Sequence, residues 1–337
     1  MRIALLHNPR PLEIEPTLPD DSFEEYDTAE TINAICAALA PLGVDAVPIV
    51  ADRRLPWRLT EDKFEFAFNI AEGVGRRCRE AVAPAICELL ELPFTGSDAL
   101  TLAATQDKAV ARRLVSPEVP VARAVLVASD VDERVIAALT HPVIVKPNDE
   151  GSSKGIGPGS VCATPPAAAE RCRWLQNRYG CPVLVEEFLS GPEVTVGVRG
   201  NGSGVEVFGL MEIAAAKPDG LFIYDVEAKR DWQRRIRYHV PPRLPLTVVD
   251  QLRTDALRAY RLLGCRDIAR LDFRLDTQAR SHFLECNPLP GLNPSSGDIV
   301  LMSKGILPYE KLVQGIFLDA VARVGRHKQR SNHGAQA

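Results

Sequence analysis

The sequence predicts a mixed fold: an α/β unit with a parallel sheet at the N-terminus, followed by α+β units with antiparallel strands. Three observations predict it. Over residues 1–95, short apolar runs alternate with helical patterns, as expected of parallel strands joined by crossover helices. After residue 180, strand patterns follow one another with connections too short for crossovers, which suits antiparallel pairing. The chain has 337 residues, and at about 150 residues per domain that makes two or three compact units.

Residues 2–7 are an apolar run stopped by Asn8-Pro9, the pattern of a buried strand. Residues 8–30 then carry eight acidic side chains against one basic, Arg10, with four prolines early in the stretch, which predicts loop. Asp27 or Thr28 caps a helix over 28–42, and Gly43 lies just past its end. Strands over 44–50 and 64–70, a helix over 79–92 and a short strand and turn at 93–96 complete the first unit. Helices near 98–104, 107–115, 130–139 and 166–178 follow, with strands 122–127 and 142–146 and a glycine-rich turn between them. Strands 182–187, 193–199 and 204–213 come next, then a polar stretch over 214–243. A helix over 247–263, strands 268–275 and 281–286, and a last helix over 308–324 close the order. The polar tail 326–337 is expected to fray.

Apolar residues make up 46% and charged residues 25%, which excludes wholesale disorder. The net charge of −4 argues against a dedicated nucleic-acid or anionic-membrane binder. No stretch approaches the ~18 apolar residues of a spanning helix, and the apolar start is too short for a signal peptide. The eight cysteines show no CxxC pair and read as reduced packing thiols, so a cytoplasmic enzyme is expected.

Three stretches carry chemistry. In Val143-Ile144-Val145-Lys146-Pro147, a buried strand delivers a lysine to a loop, Asn148 to Gly159, holding four glycines and two serines. Glycines let backbone N–H groups turn toward an anion, and the serines and Lys146 add donors, so the loop suits a phosphate. An ordinary flexible turn is the bland alternative. In Arg270-Leu271-Asp272-Phe273, alternation puts Arg270 and Asp272 on one face and the apolar pair on the other; Glu285 and Asn287 share a face likewise. Two carboxylates and an amide form an all-oxygen set suited to Mg²⁺ rather than zinc, against the alternative of strands with charged outer faces. The third stretch joins two strands through Glu186-Glu187-Phe188-Leu189-Ser190-Gly191-Pro192-Glu193. Its backbone can bond an adenine edge and a carboxylate can hold ribose hydroxyls, although taken alone the stretch is better read as a hairpin with solvated acids.

Together and in this order these stretches resemble the ATP-grasp superfamily, and within it the D-alanine–D-alanine ligase family. Phe68-Asn69-Ile70-Ala71-Glu72-Gly73, Leu92-Pro93-Phe94-Thr95-Gly96-Ser97 and Asp107-Lys108 are similar to landmarks of that family, so the resemblance spans residues 68–318. It implies a three-lobed ATP-grasp fold: an N-terminal α/β domain over 1–97, a central lobe over 98–188 and a C-terminal lobe over 189–325. ATP would lie between the second and third lobes. The resemblance also implies roles. Lys108 and Lys146 would contact the phosphates, with Glu150, Gly151, Ser152 and Ser153 closing over them. Glu186, Glu187 and Leu189 would line the adenine pocket and Glu193 the ribose. Asp272, Glu285 and Asn287 would hold two Mg²⁺ ions, with Mn²⁺ able to substitute. Arg270 and the Gly291 amide would steady an acyl phosphate and a later oxyanion. Lys229, on a mobile loop starting at Tyr224, would reach the γ-phosphate. Ser152 is counted with the catalytic residues, and Tyr224 with the substrate contacts. The implied partners are a small carboxylate and an amine, both amino acids, with no nucleic acid or membrane. A homodimer is common in that family.

The departures fall in the amino-acid pockets. No residue after His7 matches the family glutamate that anchors the first substrate's ammonium; Glu72, Glu13 and Glu15 are the candidates to replace it. Glu72 stands where a histidine is usual, Arg230 replaces an aromatic residue, and Gly297 replaces a leucine beside Ser296, which fits the second carboxylate. The expected activity is therefore an ADP-forming ligase for substrates other than two D-alanines. The added charge of Arg230 suits a substrate with an extra carboxylate, or one lacking a free α-amine. An authentic D-alanine–D-alanine ligase, a non-catalytic nucleotide binder and a small-molecule phosphotransferase are the rivals. His239, His282 and Cys286 are read as structural. The basic set Lys229, Arg230, Arg234, Arg235, Arg237 and Arg243 is read as handling anions over the active site.

Overall fold

The computed structural model describes residues 1–11, 18–75, 77–217 and 221–334. The N-terminal sheet contains β1 (Arg2–His7), β2 (Asp45–Val50) and β3 (Phe66–Asn69), all parallel, in the order β2-β1-β3. The first crossover helix, Ala29–Leu39, begins where the Thr28 hydroxyl accepts from the Thr31 N–H. It ends through a tight turn at Gly43, whose φ of +71° only glycine adopts cheaply. One face of the sheet packs Ile3, Leu5 and Phe68 against this helix and against Leu312, Ile316 and Phe317 of the C-terminal helix Tyr309–Gly334. The other face packs Leu6 and Ala67 against helices Leu55–Glu61 and Val82–Leu89.

A second sheet is antiparallel, with β4 (Ala124–Val127), β5 (Val143–Pro147), β6 (Val161–Cys162) and β7 (Val183–Glu187) in the order β4-β7-β5-β6. Helix Pro165–Tyr179 covers it through Ala168, Cys172 and Leu175. The third sheet, also antiparallel, runs β10-β9-β8-β11-β12, with β8 (Glu193–Arg199), β9 (Glu206–Ala215), β10 (Ile236–His239), β11 (Ile268–Leu275) and β12 (Ser281–Asn287). Helix Leu246–Leu262 packs Leu252, Ala256 and Tyr260 under it. The two antiparallel sheets face one another across the candidate site. Among the described residues no helix is long and apolar enough to cross a membrane. All eight cysteines are free thiols.

Several elements depart from the sequence expectation. Helices Leu55–Glu61 and Asp298–Ser303 are too short to show a helical period, and the first carries a proline in its opening turn. The polar stretch after 214 holds two short helices, Val226–Arg230 and Trp232–Arg235, and edge strand β10. The first of these helices is started by Asp225, whose carboxylate accepts from the Ala228 N–H at 2.7 Å. The last helix runs past Val324 to Gly334.

Candidate active site

Strand alternation builds the floor of the site. Ala269, Leu271, Phe273 and Leu275 of β11 enter the core, which leaves Arg270, Asp272 and Arg274 on the opposite face. The register of β12 sets Asn287 opposite Arg270 and Glu285 opposite Asp272. A β-bulge then shifts the pairing, so that Phe273 lies opposite Phe283. Phe283 and Cys286 therefore both face the core, three residues apart, while Leu284 and Glu285 both line the cavity beside the sheet. Cys286 meets Cys265 there at 3.6 Å between sulfurs, a packing role as expected.

Two cavities adjoin on this floor. The smaller, of about 70 Å³, lies between the antiparallel sheets and is lined by Lys146, Ser153, Glu186, Glu187, Leu189, Glu193 and Asp272. Sequence reasoning missed Ile144, Phe188, Arg274 and Leu284, which also line it. Ile144 and Arg274 were accessible to the same alternation rule, two residues before Lys146 and two after Asp272. Glu186 is buried between Lys146 at 3.2 Å and Arg112 at 3.0 Å. Arg274 reaches Glu193 at 3.4 Å, donates to the Phe222 carbonyl at 2.6 Å and lies over the Phe188 ring.

The larger cavity, of about 320 Å³, is lined by Glu72, Lys108, Glu150, Gly151, Ser152, Lys229, Arg230, Arg270, Asn287, Gly291 and Ser296. Glu285 and Tyr224 line both cavities and so mark the junction. Lys108 sits 3.3 Å from Glu285. Burial alone would push the Glu285 carboxyl up, but Lys108, Lys146, Arg270 and Lys229 outweigh it and hold it at about 2. Asp272 is pushed up by burial against the pull of Arg270, which grips it through two nitrogens at 2.9–3.1 Å; Thr195 also donates to it. Arg270 reaches on to Asp298 at 3.0 Å, a partner not foreseen. Asp272, Glu285 and Asn287 thus offer oxygen donors only. Among the described residues no group of three His, Cys, Asp or Glu side chains could hold a metal by itself. The set fits a hard cation that takes its remaining ligands from phosphate oxygens.

The acidic N-terminal loop forms one wall. Asp21 accepts from the Gly155 N–H at 3.0 Å and from the Tyr179 hydroxyl at 2.8 Å. Glu25, buried, pairs with Arg79 and Lys154 at 2.8 Å each, and Glu150 joins the same two cations. Burial opposes the ionisation of Glu25, yet Lys154 and Arg79 prevail and hold its carboxyl at about 2. This loop thereby ties the glycine-rich loop, where Ser152 and Ser153 take positive φ, to the N-terminal sheet. Glu13 and Glu15, the other candidates for an ammonium anchor, lie outside the described residues.

Two expectations need correction. Arg230 lines the cavity, but its guanidinium is spent on Asp20 at 3.0 Å and Glu24 at 2.7 Å, so it offers no free charge to an extra substrate carboxylate. The wider basic set does not act together on anions. Arg235 pairs with Glu227, Arg243 pairs with Glu212, and Arg237 donates to backbone carbonyls. Only Lys229, 5.0 Å from the Tyr224 ring centre, and Arg230 reach the cavity. His239 and His282 line neither cavity, and His282 instead meets Asp276 at 3.2 Å. Gly297 has a local cause: a Cβ there would lie 2.6 Å from the Gly291 carbonyl oxygen.

Comparisons with known proteins agree with this geometry. Residues 117–317 match the family model described as D-ala D-ala ligase C-terminus. The D-alanine–D-alanine ligase of Desulforudis audaxviator is 35% identical over 289 residues, covering 82% of this chain and 87% of that protein. Among solved structures, D-alanine–D-alanine ligase from Bacillus anthracis complexed with ATP superposes with a TM-score of 0.73 at 19% identity, over 97% of this chain and 99% of that one. VanG D-Ala:D-Ser ligase from Enterococcus faecalis gives 0.69 at 21% identity, over 95% and 99%. The fold is that of the ATP-grasp ligases, and the chain belongs to the D-alanine–D-alanine ligase family.

Proposed function

We propose that the protein is an ATP-dependent, ADP-forming ligase that joins a carboxylate to an amine, with substrates other than two D-alanines. One observation carries this reading: the cavity between the antiparallel sheets and the larger cavity meet at Glu285, beside Lys108, Asp272 and Arg270. A γ-phosphate directed out of the first cavity would enter the second among cations. In the first step a substrate carboxylate oxygen attacks the γ-phosphorus and ADP leaves. In the second an amine nitrogen attacks the acyl carbon, phosphate leaves with the C–O electron pair, and the nitrogen loses a proton. Little covalent help is needed, so charge neutralisation and positioning dominate.

Lys108, Lys146 and Lys229 are assigned to the phosphates, and Glu150 to Ser153 to the loop over them. Glu186, Glu187, Leu189 and Glu193 hold the nucleoside. Arg270 and the Gly291 N–H face the developing oxyanion. Asp272, Glu285 and Asn287 would hold Mg²⁺, which would neutralise charge on the transferring phosphoryl group. Ser296 is assigned to the second substrate's carboxylate. Glu72 is assigned to the first substrate's ammonium, in place of the missing glutamate. The chain resembles D-alanine–D-alanine ligases, and the VanG neighbour of the same fold is a D-Ala:D-Ser ligase. ADP release measured with D- and L-amino acids, singly and in pairs, tests the reading. Nucleotide binding without any amine-dependent ADP release would refute it.

A further inference from the structure

The large cavity holds an uneven set of charges. Most carboxylates on its wall are matched: Glu25 and Glu150 with Arg79 and Lys154, Glu285 with Lys108, and Asp298 with Arg270. Asp27, Glu72 and Glu80 are different. They arrive from three separate segments: the loop before the first helix, the end of β3 and the turn Arg79–Ala81. All three line the cavity, and among the described residues no hydrogen bond or ion pair reaches their carboxylates. They also feel one another, since the charges of Glu80 and Asp27 both act on Glu72.

A second feature points to a ligand independently. Gln106, only 7% exposed, lines the same cavity, and neither its Oε1 nor its Nε2 has a hydrogen-bond partner. A buried amide left unbonded is costly, because it has given up its bonds to water without replacing them. A bound polar ligand that completes those bonds removes the cost.

We propose that this cavity selects an amino compound with two cationic groups, a diamino acid, whose ammonium groups sit among Asp27, Glu72 and Glu80 beside Gln106. This rests on the ligase activity proposed for the same site, and it names the substrate class. A single α-ammonium would leave two of the three carboxylates without a cationic partner, and charges interact strongly at such short range. Two ammonium groups bring the wall close to balance. The engaged state of Arg230 removes the rival attraction for a diacid. Burial pushes the carboxyls of Asp27 and Glu80 up to about 7, and burial together with Glu25 and Glu80 raises Glu72 well above its ordinary value. Arg79, Lys108 and Lys154 pull on Glu80 and Arg79 pulls on Glu72, but none of them forms an ion pair there and burial prevails.

The test uses D- and L-ornithine against D- and L-norleucine, in which a methyl group replaces the side-chain ammonium at equal length. Binding to the full-length protein with ADP and Mg²⁺ is measured by calorimetry, and ADP release with ATP is followed separately. One enantiomer of ornithine is expected to bind at least about tenfold more tightly than its norleucine counterpart, a difference of ~1.4 kcal/mol. Glu72→Gln and Glu80→Gln should each shrink that ratio, the second serving if the first does not fold. Norleucine binding as tightly as ornithine, or a ratio unmoved by both variants, overturns the proposal. Ornithine that binds selectively but never supports ADP release sinks the ligase reading while the cation pocket stands. ADP release with neutral amino acids and no preference for ornithine does the reverse.

Discussion

The unmatched Glu80 carboxylate should reveal itself as a stability defect that depends on pH. Its carboxyl is raised from an ordinary value of 4.5 to about 7, with burial as the largest cause and Glu25 adding repulsion against the pull of Arg79. The folded-state value lies above the unfolded one, so the charged form is disfavoured by folding. Below the unfolded value the group is neutral in both states and has no effect. As pH rises from 4.5 toward 7 the unfolded chain ionises first and the fold loses stability; above 7 the loss is complete. The difference between 4.5 and about 7, at ~1.4 kcal/mol per pH unit, gives about 3.5 kcal/mol. Glu80 is half-buried and open to cavity water, so this is an upper bound. Glu80→Gln removes the charge and keeps the shape. Urea unfolding at pH 5 and pH 8 should show the variant gaining about 2 kcal/mol on the parent at the higher pH and much less at the lower. A variant equally or less stable than the parent at pH 8 would mean instead that Glu80 already has a favourable partner in the fold.

Three further outcomes follow from the same geometry. Asp272→Asn or Glu285→Gln should leave the fold intact and remove most ATP turnover; near-full Mg²⁺-dependent activity in either variant would show the metal site to be misplaced. Lys146→Ala should weaken ATP binding more than AMP binding, since its charge is assigned to the distal phosphates, while Glu186 keeps Arg112 at 3.0 Å as partner. Equal weakening of both nucleotides would place Lys146 at the adenosine end. Gly297→Ala should lower kcat/KM for the amine substrate, because the new Cβ would lie 2.6 Å from the Gly291 carbonyl oxygen and 2.9 Å from that of Asn293, displacing the turn that presents the Gly291 N–H. Unchanged kinetics would remove that turn from the account.

The parts of the site that obey local periodicity were legible in the sequence. Alternation alone put Arg270 and Asp272 on one face of β11, and the register of β12 brings Glu285 and Asn287 opposite them. The same rule could not foresee the bulge that turns both Leu284 and Glu285 toward the cavity, because a bulge leaves no mark in residue types here. The least legible part was the acidic loop. Glu25 meets Arg79 across 54 positions and Lys154 across 129, and no pattern in 8–30 announces either partner. Arg230 was misread for the same reason: Asp20, which occupies it, lies 210 residues earlier. Short helices such as Asp298–Ser303 escaped because one and a half turns show no period, and Asp298 escaped with it as the partner of Arg270.

The central claim, that this ligase-family chain joins substrates other than two D-alanines, is tested most directly by measuring ADP and dipeptide together. The purified protein is supplied with ATP, Mg²⁺ and millimolar D-alanine, then with pairs drawn from cationic and neutral amino acids of both hands. Weak ADP release is expected with D-alanine alone, and strong, product-matched release with a pair that includes a diamino acid. Robust D-alanyl-D-alanine formation with equal ADP release would contradict the claim.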